Sequence, residues 1–139
     1  FSDFYVTNAE GKRISSILTG SEVILNFKIN SLEKCKADIG FSFFSSEGTM
    51  LGNLYSRFQH ILLDLIEGDS IISCTIEKFP FSIDRIIIRG VINVDNELSD
   101  WPEAHLGILN IEIGDFYDTG SLSSSNAMFL FQGKWEVEK

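Results

Sequence analysis

The arrangement of this chain follows from the segment Trp101–Gly120, which reads WPEAHLGILNIEIGDFYDTG. In its middle part aliphatic side chains fill one side and a mixed set fills the other: Leu109, Ile111 and Ile113 against Ile108, Asn110 and Glu112. This alternation predicts a half-buried β-strand, because successive side chains of a strand leave opposite faces. Gly114 and Asp115 then allow a sharp turn. A Gly/Ser-rich crossing, Gly120–Ser125, leads to a predicted last strand, Met128–Trp135, so the earlier strands must form a groove that accepts both.

The same alternation recurs along the rest of the chain. It predicts strands over Ser2–Asn8, Val23–Ile29, Ile39–Phe44, Ser70–Phe79 and Asp84–Val94, and less regular extended chain over Met50–Phe58 and His60–Glu67. The polar composition between them predicts loops over Asn30–Lys36 and Asp95–Glu103. About eight strands and no convincing helix predict an all-β fold, an antiparallel β-sandwich of the jelly-roll or immunoglobulin-like type.

The alternation also assigns side chains to the core. The aromatic residues at inward positions are expected to be buried rather than to bind a ligand: Phe41, Phe43, Phe129, Phe131 and Trp135. Cys74 alternates with Ile72 and Ile76 and is predicted to be a small core residue. We expect Trp101, in the loop before Pro102, to pack over the end of the sandwich in preference to serving as a sugar platform.

Length, composition and charge restrict the class of protein. A chain of 139 residues with 44% hydrophobic content fits a single domain, residues 1–139, with its own core. The net charge of -9 argues against binding to nucleic acid and to anionic membranes. No apolar run reaches the ~18–20 residues of a membrane-spanning helix. Because the chain starts at Phe1 without a signal peptide, we expect it to be a soluble domain excised from a longer protein.

The sequence lacks the common catalytic and metal-binding motifs. It has no phosphate-binding loop, no G-x-S-x-G, no H-E-x-x-H and no C-x-x-C, and no pair of carboxylates is marked out for glycoside hydrolysis. Cys35 and Cys74 are expected to be free thiols in a reducing compartment. His60 and His105 have no second ligand at zinc spacing. Acidic residues at 95–100 and at 115–118 have the right oxygen ligands for calcium, but such loop residues are more often solvated. We therefore expect no metal and no cofactor.

A series of short motifs in a fixed order carries a family resemblance: GSEVIL at 20–25, a turn at Gly48, GNLY at 52–55, LIEG at 65–68, Asp100-Trp101, GDFYDTG at 114–120 and GKW at 133–135. Together they resemble the C-terminal carbohydrate-binding domain of the ATP-binding subunit of bacterial polysaccharide ABC transporters, the Wzt type that exports O antigens. The resemblance covers nearly the whole chain, although each motif is loose. It departs at Asp84-Arg85-Ile86, where the family commonly has G-x-Y.

The resemblance implies a function for the chain. In that family the domain follows the ATPase, folds as a jelly-roll sandwich and recognises the modified non-reducing end of a finished glycan. It therefore implies a non-catalytic module that selects a polysaccharide for export, with the ATPase elsewhere in the parent chain. It also implies a homodimer with an exchanged C-terminal strand, association with the transporter's ATPase and membrane subunits, and a cytoplasmic location at the inner face of the bacterial inner membrane.

Glycan binding requires planar polar side chains for paired hydrogen bonds and aromatic rings for stacking on the C–H faces of sugars. Polar residues opposite the predicted core, and three in the irregular segment after Gly52, are the candidates: Asn26, Lys28, Ser42, Tyr55, Arg57, His60, Ser73, Thr75, Arg89, Asn110, Gln132 and Lys134. Ile87, Val91 and Ile108 are expected on the same face, so this face is more apolar than a wholly solvated sheet.

Two alternatives stay open at this point. Each of these polar residues, taken singly, is more simply an ordinary solvent-facing strand residue, and the chain as a whole could be a structural sandwich that mediates dimerisation or docking without a glycan. Lys28, Arg89 and Lys134, with Arg57, would favour an anionic terminal group if they converged, because Arg grips a carboxylate or phosphate with two parallel hydrogen bonds. A neutral or methylated sugar is the alternative.

Overall fold

The computed structural model describes residues 3–94, 97–100, 106–120 and 128–137. These residues form strands and one short 3₁₀ helix, η1. The elements are β1 (Asp3–Asn8), β2 (Ser16–Leu18), β3 (Val23–Ser31), β4 (Cys35–Phe44), β5 (Met50–Tyr55), η1 (Ser56–Gln59), β6 (Leu63–Leu65), β7 (Gly68–Ile76), β8 (Arg85–Val94), β9 (Glu97–Asp100) and β10 (Gly107–Glu112). In this part of the chain no helix is both long and apolar enough to cross a lipid bilayer.

The strands form two sheets that pack face to face, which confirms the predicted sandwich. The smaller sheet has the order β1-β3-β7, and the larger has the order β2-β10-β8-β4-β5, with β6 and β9 paired to β4 and β8. The pairing of β2 with β10 is parallel, so the larger sheet is mixed rather than purely antiparallel. Phe27 of β3 and Phe41 of β4 stack between the sheets with ring centres 3.9 Å apart. Their contact joins the two layers at the centre of the core.

In the central strands, the side chains that alternation predicts to face inward are buried. Phe41 and Phe43 of β4 are buried, as are Ile86 and Ile88 of β8 and Leu109 of β10. The edge strand β7 differs, because its inward side chains Ile72, Cys74 and Ile76 are only half-buried. Within the described residues β7 pairs only with β3, so its other edge has no neighbouring strand to complete the layer.

Three local predictions are wrong. The expected loop Asn30–Lys36 is mostly strand, since β3 runs to Ser31 and β4 begins at Cys35, where it pairs with β6. The expected acidic loop contains β9, which pairs with β8. The end of the expected extended segment Met50–Phe58 is the helix η1. In the first two cases backbone pairing with an existing strand forms a strand whose side chains are polar, because a ladder needs only N–H and C=O groups.

The C-terminal prediction is also wrong for this chain on its own. The described residues 128–137 form no strand; Phe129 makes one isolated bridge to Phe81, and Leu130 is buried. The predicted core residues Phe129, Phe131 and Trp135 are 49%, 75% and 96% exposed. Ile113, predicted inward, is 48% exposed, because β10 ends at Glu112. The physical reason is that alternation shows a segment can form a half-buried strand but does not supply the strand with which it pairs. Trp101 and the crossing at 121–125 lie outside the described residues.

Candidate functional site

A cavity of about 380 Å³ lies on the outer face of the larger sheet, over β4 and between β5 and β8. It lies on the side of β4 that faces away from the core, yet Asp38 and Ser42 on this side are only 3% and 8% exposed. Tyr55, at the end of the neighbouring strand β5, lays its ring across Gly40, between these two positions of β4. The lining residues are Asp38, Gly40, Ser42, Phe44, Met50, Tyr55, Arg57, Phe58, Arg89, Gly90, Val91 and Asn93.

Gly40 allows an aromatic ring to lie directly on the floor of the cavity. It is paired with Tyr55 across the β4–β5 ladder. A Cβ atom at Gly40 would stand 1.5 Å from Cδ1 of Tyr55, so any larger residue there would push the ring away. Phe58 packs edge-on against Tyr55, with ring centres 5.0 Å apart, and is itself 70% exposed. Two aromatic rings of this kind can stack on the C–H face of a ligand.

The Tyr55 hydroxyl is held by a chain of hydrogen bonds along the floor. The Ser42 hydroxyl donates to Asn53 Oδ1 at 2.8 Å and lies 3.1 Å from the Tyr55 oxygen. Because Ser42 has a single proton and donates it to Asn53, Tyr55 is the donor in the second bond. The lone pairs of the Tyr55 oxygen stay available, so a ligand would meet this oxygen as an acceptor.

Asp38 places a carboxylate at one end of the floor. Its Oδ1 accepts a hydrogen bond of 2.8 Å from Nδ2 of Asn93, the residue opposite it on β8. Its second oxygen accepts no hydrogen bond from the described residues. In that part of the chain, every side-chain oxygen that is fully closed off from solvent has a hydrogen-bond partner. Because the second oxygen of Asp38 has none, it is not closed off, and a ligand in the cavity can reach it. The Asp38–Asn93 pair therefore offers a ligand a carboxylate oxygen and an amide.

Two guanidinium groups complete the lining. Arg89 lies over the Phe44 ring, with its guanidinium carbon 5.0 Å from the ring centre, a cation–π arrangement that orients the charge. Arg57 belongs to η1 and is exposed. Neither arginine forms an ion pair with a carboxylate of the described residues, where the only such pair is Lys78 with Asp118. Both charges are available to an acceptor-rich or anionic group.

The structure brings together four of the twelve predicted site residues and separates the rest. Ser42, Tyr55, Arg57 and Arg89 line the cavity. The strands β3 and β7 carry Asn26, Lys28, Ser73 and Thr75, which therefore lie on the outer face of the other sheet. The remaining four lie elsewhere: His60 at the end of η1, Asn110 on β10, and Gln132 and Lys134 in the C-terminal segment. Of the four basic residues that would favour an anionic group if they converged, Arg57 and Arg89 line the cavity, whereas Lys28 belongs to the other sheet.

Asn26 shows why a polar strand residue need not face a ligand. Its amide nitrogen donates to Thr7 Oγ1 at 3.1 Å and to the Ile24 carbonyl at 3.1 Å. Its oxygen accepts a bond of 2.8 Å from the Ser73 hydroxyl. Asn26 is only 6% exposed. These bonds tie β1, β3 and β7 together, so this amide is occupied within the sheet.

Sequence reasoning missed Asp38, Phe44, Phe58 and Asn93. A signal for Asp38 and Phe44 was present, since Asp38, Gly40, Ser42 and Phe44 occupy alternate positions of one strand. The wrong loop prediction over Asn30–Lys36 placed the start of that strand too late to include Asp38. Nothing in the sequence indicated that Phe58 would border the cavity, because its place depends on η1 folding over β4.

A second cavity, of about 440 Å³, opens between β1 and β10 at one end of the sandwich. Its polar lining includes Asn110 and Arg13, but the Arg13 guanidinium carbon lies 4.0 Å from the centre of the Tyr5 ring. The rest of its lining is mostly aliphatic and aromatic side chains of the sandwich end. We favour the first cavity as the site, because there a carboxylate, hydroxyls, an amide and two arginines surround the rings of Tyr55 and Phe58.

The described residues contain no group of three histidine, cysteine or acidic side chains that could hold a metal ion. His105 and the acidic residues 95 and 96 lie outside that description. Both cysteines are free thiols, as expected. Burial raises the pKa of the Cys74 thiol above its ordinary value, so it stays protonated at neutral pH. Asp38 is the only carboxylate among the described residues that line the first cavity, whereas hydrolysis of a glycoside usually employs two.

Comparisons with known proteins give a match of fold. No protein-family model and no curated protein sequence matches the chain. Among solved structures, the fold matches the crystal structure of the C-terminal domain of Wzt with a TM-score of 0.62. The match covers 94% of this chain and 81% of that chain at 13% sequence identity. The chain therefore has the fold of the C-terminal domain of Wzt, which confirms at the level of the fold the resemblance found in its motifs.

Proposed function

We propose that this chain is a non-catalytic module that binds the non-reducing terminus of an O-antigen polysaccharide and selects it for export by an ABC transporter. The observation that carries the proposal is the cavity over β4, where the Tyr55 ring lies on Gly40 beside hydroxyl, amide, carboxylate and guanidinium groups. A sugar needs this combination of a flat apolar platform and a ring of directional hydrogen-bonding groups. The fold match supports the transporter context.

The size of the cavity supports recognition of a chain end. Its volume of about 380 Å³ is near the lower limit of small-molecule sites, which range over ~300–1,000 Å³. A site of this size can enclose a terminal sugar with its substituents, while the rest of a polysaccharide extends into solvent. Selection of finished chains for export requires that the terminal sugar be recognised.

The direct test is titration calorimetry with the surface polysaccharide of the bacterium that carries this chain. The informative variant is Gly40→Ala, whose new methyl group would stand 1.5 Å from a Tyr55 ring carbon and displace the platform. We expect binding to weaken by roughly three- to tenfold, the order of magnitude of one lost aromatic contact. Thr75→Ala, an exposed position on the outer face of the other sheet, is the matched control and should bind like the native chain.

Absence of polysaccharide binding by the native chain would contradict the proposal and favour the alternative, a structural sandwich without a glycan ligand. Equal binding by the native chain and Gly40→Ala, with unchanged melting curves, would move the site away from this cavity. Circular dichroism of each variant is needed, because Gly40 lies at a buried position of β4.

We further propose that the chain forms a homodimer by exchange of its C-terminal segment, and that it works at the cytoplasmic face of the inner membrane beside the transporter subunits. Residues 128–137 leave Phe131 and Trp135 exposed, although the segment alternates like a strand. At the same time β7 has an edge without a neighbour in the described residues and half-buried inward side chains. A strand from a second copy would satisfy both, since exposed aromatic rings and an open sheet edge favour association.

Analytical ultracentrifugation tests the dimer. We expect the native chain to sediment as a dimer at micromolar concentration. A monomer at every accessible concentration would contradict the exchange and would leave the glycan proposal intact, because the cavity over β4 is lined by one copy of the chain.

A further inference from the structure

We infer that the cavity over β4 binds its glycan in one fixed direction, with sugar hydroxyl groups against Asp38 and an anionic substituent against Arg89. This inference rests on the proposed function and specifies its ligand as an acidic terminal sugar. It follows from the positions of the two charged side chains, which line the same cavity without neutralising each other.

The Asp38 end is suited to hydrogen-bond donors. A carboxylate that is 3% exposed, with one hydrogen bond from Asn93 and a second oxygen open to the cavity, lacks the full set of donors that a buried charge requires. Sugar hydroxyls can supply them, because each brings a proton. An anionic group would be repelled from this position, so the end marked by Asp38 excludes a carboxylate or phosphate.

The Arg89 end is suited to an anion. Arg89 is opposite Ser42 on the β4–β8 ladder, and the Phe44 ring supports the plane of its guanidinium. In a chain with 20 acidic and 11 basic residues, an arginine that lines a cavity and has no carboxylate partner among the described residues is conspicuous. Its N–H groups can bind a carboxylate or a phosphate with two parallel bonds.

Asp38 and Arg89 are far enough apart to bind different groups of one ligand. Asp38 and Ser42 are four residues apart on β4, which is about 13 Å at ~3.3 Å per residue. At this separation the two side chains contact different parts of a ligand that fills the cavity. Tyr55, opposite Gly40, lies between them and offers the platform for the sugar ring.

The experiment uses oligosaccharides released from the surface polysaccharide of the bacterium that carries this chain. Calorimetry compares three samples: untreated, after reduction of carboxylates to alcohols, and after removal of phosphate with mild hydrofluoric acid. One treatment should weaken binding about tenfold or more, as expected for the loss of a charged hydrogen bond, and the treatment that does so identifies the acid. Each sample is titrated at low and high salt, because only a charged contact is screened.

The variants separate the two ends. Arg89→Ala should weaken binding of the untreated sample about tenfold or more and reduce its salt dependence. Asp38→Asn keeps the shape and an oxygen for Asn93, and it should weaken binding while the salt dependence persists. Arg85→Ala, an exposed arginine on the same strand that does not line the cavity, is the matched control and should bind like the native chain.

Two results would overturn the inference without touching the proposed function. One is binding that Gly40→Ala weakens but that neither salt, Arg89→Ala nor either treatment alters, which would indicate a neutral terminal sugar. The other is loss of salt dependence on Asp38→Asn but not on Arg89→Ala, which would indicate a cationic sugar substituent against Asp38 in place of an anionic one against Arg89. If the native chain binds no polysaccharide at all, both the function and the inference are wrong.

Discussion

The two outer faces of this sandwich carry similar polar residues but use them differently. On the three-stranded sheet, the hydrogen-bonding groups of Asn26, Thr7 and Ser73 bind one another across β1, β3 and β7. On the larger sheet, Asp38 and Arg89 line an open cavity, where one carboxylate oxygen of Asp38 and the guanidinium of Arg89 have no hydrogen-bond or ion-pair partner among the described residues. The difference teaches that a polar residue on a strand indicates a binding site only when its neighbours leave it unsatisfied.

The cause of the difference is what lies above each face. Asn26 sits on the central strand of a narrow sheet, so short polar side chains on both neighbouring strands reach its amide. Beside β4, in contrast, the edge strand β5 and the helix η1 carry Tyr55 and Phe58, and the Tyr55 ring lies across the outer face of the sheet at Gly40. These two rings line the cavity, and Gly40 leaves the room that the Tyr55 ring occupies.

The largest effect is expected from breaking the closed network. Asn26→Ala leaves the Ser73 and Thr7 hydroxyls without their buried partner, which should lower the free energy of unfolding by about 1–3 kcal/mol. Glycan binding should be unchanged, because Asn26 does not line the cavity. Chemical denaturation and calorimetry measure the two quantities. Lys28→Ala, exposed on the same face of β3, is the control and should stay within about 0.5 kcal/mol of the native chain. A binding defect in Asn26→Ala with native stability would mean that this face, too, contacts the ligand.

A smaller effect is expected from Tyr55→Phe on the open face. The variant removes the hydrogen bond to Ser42 and keeps the ring on Gly40, so stability should fall by about 0.5–1.5 kcal/mol. Binding should stay close to native for this variant and fall for Tyr55→Ala, which removes the ring. If the two variants bound equally weakly, the main contact with the ligand would be the Tyr55 hydroxyl rather than its ring. The ring held on Gly40 would then not be the sugar-binding platform.

The smallest effect on the isolated chain is expected from Trp135→Ala. With Trp135 96% exposed, the free energy of unfolding of a single copy should change by no more than about 0.5 kcal/mol. The dimer should dissociate at a higher concentration than the native dimer, since an exchanged segment would bury this ring against the other copy. Denaturation at high dilution and sedimentation measure the two effects. A loss of several kcal/mol at high dilution would restore Trp135 to the core of its own chain.

Much of the fold could be predicted because alternation is a local property. The burial of Phe41, Phe43, Ile86 and Ile88 follows from their alternate positions in long strands. The elements missed were short ones whose formation depends on a partner. The sequence of β9 reads as an acidic loop, and it is a strand because β8 lies beside it.

For the site, sequence reasoning reached Ser42, Tyr55, Arg57 and Arg89. It assigned Lys28 and Arg89 to a common face, because alternation distinguishes inside from outside but not one outer face from the other. Asp38 was missed because the predicted strand began at Ile39, whereas pairing with β6 and β8 extends β4 back to Cys35. Strand pairing of this kind joins residues far apart in the chain, so the sequence of one segment does not show where its strand begins.

By itself the sequence determined that the chain is an all-β sandwich, which side chains of its long strands face the core, and that its charge is unsuited to nucleic acid. These follow from side-chain alternation and composition, which each segment carries with it. The tertiary structure alone decided which outer face holds a cavity, that Asp38 and Arg89 share it without pairing, and that Trp135 has no place in the core of its own chain. Those outcomes depend on which strands become neighbours and on what folds over them, and only the assembled chain specifies this.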